Sequence, residues 1–134
     1  MDALNRYNES SFSNKFLQLA TELKETCENN KSHEANAVLF RTSWVELILT
    51  YDHHEQNPLR VEVELVAFDQ NSRHDQQEKL PLTMISHLQY LLDLIRVGFE
   101  VHIIDECCWL ASMSFPNVPD QNVVKALIPP KIER

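Results

Sequence analysis

Two segments with a period of two, "WVELILTY" (44–51) and "RVEVELVAF" (60–68), flank the polar stretch "DHHEQNP". Side chains on an extended strand point alternately to opposite faces, so this alternation implies strands with one apolar and one mixed face. In the second segment Val61, Val63, Leu65 and Ala67 share the inward face, with Arg60, Glu62 and Glu64 outward. In the first, Val45, Leu47, Leu49 and Tyr51 form one face, and Trp44, Glu46, Ile48 and Thr50 the other. A short polar connection with Asn57–Pro58 joins such strands as a hairpin, so this part of the sheet is expected to be antiparallel.

Around the hairpin the period changes. Phe12, Phe16, Leu19, Ala20, Leu23 and Cys27 recur at spacings of three and four. They predict a first helix, with Ser11 or Ser13 as its N-cap. "AVLF" (37–40) leads into the hairpin, either as part of one long bent strand or as a separate strand ending near Thr42–Ser43. After the polar "DQNSRHDQQEKLP", residues Leu82, Ile85, Leu88, Leu91, Leu92 and Ile95 mark a second helix. Gly98 stands just past its end, where a left-handed residue is wanted. "FEVHII" reads as a short strand and "CCWLASMSF" as another, with a helix as the alternative for the latter. Asp120 is placed to cap a last short helix that Pro129 and Pro130 stop.

The expected fold is therefore α+β. It is one domain over 12–128, with an antiparallel or mixed sheet of about four or five strands and two main helices on one face. Residues 1–11 are expected to fray, and 129–134 to form a tail. The order α-β-β-(β)-α-β-(β)-α is similar to that of bacterial secretion chaperones, homodimers that hold an unfolded client segment. The likeness lies in the order of elements, and function does not follow from order alone.

Composition excludes several functions. The chain has 134 residues, 20 acidic and 12 basic, for a formal net charge of −8. An acidic chain with scattered Lys and Arg repels a phosphate backbone, so no nucleic-acid partner is expected. No apolar run approaches the roughly 18 residues that span a bilayer, and no membrane partner is expected. A single glycine excludes a P-loop, a dinucleotide fingerprint and a G-x-S-x-G elbow, each of which needs several. No cofactor is expected. Three cysteines, with Cys107 and Cys108 adjacent, are not a disulfide framework. "MDALNRYNES" lacks the basic start and apolar core of a leader, so the expected location is cytoplasmic.

Candidate chemistry sits in two places. His53 and His54, between Asp52 and Glu55, resemble a metal site, but adjacent strand residues point to opposite faces and a solvated hairpin tip is the simpler reading. "HIIDECCWL" brings His102, Asp105, Cys107 and Cys108 together. There the acidic neighbours raise a thiol pKa rather than lower it. Glu46, Glu62 and Glu64 read as a solvated sheet surface with cross-strand ion pairs. The feature left over is apolar surface on the second sheet face. Trp44, Ile48, Val66 and Phe68 are the expected protein-interface anchors. The chain is thus expected to be a non-enzymatic protein–protein interaction module, a homodimeric adaptor or chaperone-like binder. The alternative is a small metal-binding protein or enzyme using His53, His54, Asp105 and Cys107.

Overall fold

The structure is a computed structural model that describes residues 7–30, 33–66, 80–104 and 108–131, with the backbone alone for 80–84. Its elements are α1 (Glu9–Asn30), β1 (Glu34–Arg41), β2 (Val45–Asp52), β3 (Leu59–Val66), α2 (Leu80–Arg96), β4 (Glu100–Ile103), β5 (Cys108–Phe115) and α3 (Gln121–Leu127). The strands form one antiparallel sheet in the order β1-β2-β3-β5-β4. This is the α+β domain that the alternating and helical periods predict.

The β2–β3 hairpin pairs Val45 with Leu65, Leu47 with Val63 and Leu49 with Val61. These six are buried, and β5 adds Trp109, Ala111 and Phe115 to the same face. Onto that face α1 packs Phe12, Phe16, Ala20 and Leu23; α2 packs Tyr90, Leu91 and Leu94; α3 packs Val124 and Leu127. One contiguous core thus lies between the sheet and all three helices, and among the described residues no helix covers the other face. The Tyr90 hydroxyl donates to the Leu127 carbonyl and ties α2 to α3.

"AVLFRTSWVELILTY" resolves into two strands. Thr42 N–H donates to the Val45 carbonyl, and the Thr42 hydroxyl oxygen accepts from the Trp44 and Val45 N–H groups, closing a tight turn. "CCWLASMSF" contributes strand, not helix: β5 pairs with β3 on one side and β4 on the other. The described residues near both ends take part in the fold. Helix α1 begins at Glu9, inside the stretch expected to fray, and Asn8 is its cap rather than Ser11 or Ser13: its side-chain carbonyl accepts from Ser11 N–H at 3.0 Å. Tyr7 N–H donates to Pro129 O, and the Tyr7 ring meets Phe40 edge-on. Pro129 and Pro130 are buried. These contacts need residues far apart in sequence, which local periodicity cannot see.

Gly98 ends α2 as anticipated. Its φ is +111°, Gly98 N–H donates to Ile95 O and Phe99 N–H to Leu94 O, the paired bonds of a Schellman closure. A Cβ there would also stand 3.0 Å from the Met113 Cε. Gly98→Ala is therefore expected to lower unfolding free energy by about 1–2 kcal/mol. Urea denaturation measures this, and an unchanged midpoint would contradict the closure. Asp120 caps α3 by accepting from the Asn122 and Val123 N–H groups.

Candidate functional site

Helix α2 carries apolar residues on two faces. Its buried face is His87, Tyr90, Leu91 and Leu94. Ile85, Leu88, Leu92 and Ile95 are 51%, 48%, 52% and 50% exposed. These four belong to the run that marked the helix in the sequence, and in the fold they face outward. Their spacing of 3, 4 and 3 is the seam spacing of a helix that packs against another helix. The sheet had room for only one stripe, and it took the one bearing Tyr90, whose hydroxyl finds the Leu127 carbonyl. The outer stripe continues onto the edge of the sheet. Ile103 pairs with Trp109, whose ring lies 6.3 Å from His87, so this 73% exposed side chain stands on the helix side of β4 beside α2.

The second sheet face holds only part of the expected interface. Ile48 and Val66 lie there half-buried, and Val38 stands directly opposite Ile48. Trp44 does not belong to it. Its side chain is 9% exposed, and its ring lies 6.5 Å from His87 on the helix side. The strand begins at Val45, so residue 44 sits in the turn and escapes the alternation that placed it with Ile48. Phe68 lies outside the described residues.

His87 is caught between Trp44 and Trp109. Burial lowers its pKa from 6.5 to about 4, and among the described residues neither ring nitrogen has a hydrogen-bond partner. An imidazole with that pKa is neutral at pH 7. Nothing in the sequence period marked it, because a helical pattern counts His as polar.

The charged residues of the second face behave as a solvated surface. Arg41 pairs with Glu46 across β1 and β2, and Arg60 with Glu62 along β3 at 3.1 Å. Cys108 is on this face, with its Sγ 3.5 Å from Glu64 Oε1. The other described cysteine, Cys27, is fully buried on α1 with its thiol donating to Tyr51 O. Burial pushes its pKa up, and the Asp52, Glu34 and Glu28 carboxylates push it the same way. Such a thiol is a packing residue rather than a nucleophile. Asp105 and Cys107 lie outside the described residues; among the described residues His102 pairs with Glu100 at 3.9 Å.

His53 and His54 occupy the exposed β2–β3 turn. The fold brings His33 to them from before β1: the His33 and His54 rings stack at 4.3 Å, and His53 and His54 lie 4.2 Å apart. A groove lined by Glu34, Thr50, Asp52, Glu55, Arg60 and Glu62, among others, opens beside this end of the second face. Among the described residues no helix is long and apolar enough to cross a membrane. No protein-family model, curated protein or solved structure matches the chain, so its residues carry the functional reading by themselves.

Proposed function

We propose that the protein is a non-enzymatic protein-interaction module that works as a homodimer, with the outer face of α2 as its dimer seam. The observation that carries this is the row Ile85, Leu88, Leu92 and Ile95, each half exposed at seam spacing on a regular helix. Water-facing apolar side chains in one contiguous stripe are costly and mark contact surfaces. A two-fold axis lets one stripe meet its own copy, so a single sequence feature supplies both halves of the interface. Ile103 adds area on the adjoining strand.

In that dimer the helix-free sheet faces stay open for a client protein. Val38, Ile48 and Val66 offer apolar contacts there, within a setting of Glu46, Glu62 and Glu64. The acidic setting and the net charge of −8 favour a client with basic residues beside its apolar ones.

Sedimentation velocity tests the reading. A species of twice 15.7 kDa that dissociates on dilution is expected. A monomer at every concentration up to the solubility limit would reject the α2 seam.

A further inference from the structure

We propose that the open end of the β1–β2 ribbon is a binding site for a divalent transition-metal ion, Zn2+ in the first instance, held by His33, Glu34 and Asp52. One ligand atom from each of these three residues lies within 4.8 Å of the other two. The His33 Nε2 and Asp52 Oδ2 atoms are 3.5 Å apart. Two ligands bound at about 2.1 Å to a tetrahedral ion sit roughly 3.4 Å from each other, so this pair already has the spacing that zinc needs.

The fold presets the donors. Glu34 and Asp52 are direct cross-strand partners at the last rung of β1 and β2. Asp52 Oδ1 accepts from His54 N–H at 3.1 Å, which orients the carboxylate and leaves Oδ2 facing His33. The His54 ring stacks on His33 and steadies its imidazole. Outer partners of this kind hold metal ligands in position.

The electrostatics ask for a cation. Like charges directly opposite on neighbouring strands destabilise the pair. At the next such rung, Glu46 opposite Glu64, an arginine relieves the repulsion through Arg41. At the Glu34–Asp52 rung no arginine or lysine pairs with either carboxylate among the described residues; the partner of Asp52 is the His33 imidazole. A bound dication would supply positive charge to both carboxylates.

One imidazole and two carboxylates suit Zn2+ and its first-row neighbours rather than Mg2+, which prefers oxygen donors and water. Three protein ligands leave a coordination position to solvent. The site lies apart from α2, so it stands or falls independently of the dimer seam.

Isothermal titration calorimetry of the full chain with zinc chloride at pH 7.4 is the test. One ion per chain with a micromolar dissociation constant is expected. His33→Ala and Asp52→Asn should each weaken binding at least ten-fold, while His102→Ala, in the other His–carboxylate pair, should leave it unchanged. Circular dichroism confirms that the exposed His33 variant keeps its fold. Absence of binding up to millimolar zinc, or binding that survives both His33→Ala and Asp52→Asn, overturns the proposal.

Discussion

Replacing Leu88 and Leu92 together by glutamate is expected to convert the dimer to a monomer that keeps its helices and its sheet. Each of these side chains is about half exposed in the single chain, so removing it costs that chain little. In the dimer the same atoms would be buried. Covering half of a leucine is worth about 1–2 kcal/mol, and a two-fold axis counts each residue twice. Losing four such contacts and burying like charges in their place weakens association by at least about a thousand-fold. Sedimentation equilibrium reads the dissociation constant, and circular dichroism reads the fold. A core substitution on the same helix supplies the contrast. Leu94 is fully buried, and Leu94→Ala should lower stability by about 3–5 kcal/mol. If the double glutamate variant instead unfolds, the outer stripe is part of this chain's own core. If it stays dimeric, the seam lies elsewhere.

Acid should weaken the fold through His87. Its pKa is about 4 in the folded chain and near 6.5 when unfolded. Between those values the unfolded chain takes up a proton that the folded chain refuses. Stability therefore rises with pH across that window, and the contribution present at pH 7 is lost as pH falls from about 6.5 to about 4. The whole window is worth about 3 kcal/mol. His87→Leu removes the titrating ring together with two buried nitrogens that lack partners among the described residues. The variant should match or exceed the parent in stability at pH 7 and lose about 3 kcal/mol less by pH 4. Urea unfolding at matched protein concentrations across this range measures the difference. Parallel curves for parent and variant would mean that solvent reaches the ring between Trp44 and Trp109.

Features set by neighbours in sequence were legible before any coordinates. The Val–Glu alternation at 61–65 can serve only a strand with one wet face, and β3 is that strand. Gly98 after an apolar helical run announced a left-handed closure, and its φ of +111° is that closure. Asp120 three residues ahead of "VVKAL" announced a cap, and its carboxylate binds two N–H groups. What local pattern could not supply was the choice between equals. Helix α2 has two apolar stripes, and arithmetic on its sequence ranks the Ile85–Leu88–Leu92–Ile95 row at least as high as the one bearing His87 and Tyr90. Trp44 likewise fits either face until the Thr42 turn fixes where the strand begins.

The candidate surfaces divide along the same line. Local periodicity by itself determined the helices, the antiparallel hairpin and the existence of apolar surface beyond what one sheet face can hide, while β1 and β5 were fixed as separate strands only by their pairing. Only the tertiary structure decided where that surplus lies, because burial depends on which stripe meets the Trp109 face and the Leu127 carbonyl, and those partners come from distant segments. For the same reason His33 joined His54 and Asp52 only once β1 had paired with β2: a hydrogen-bonded register brings together side chains that nearly twenty residues of chain keep apart.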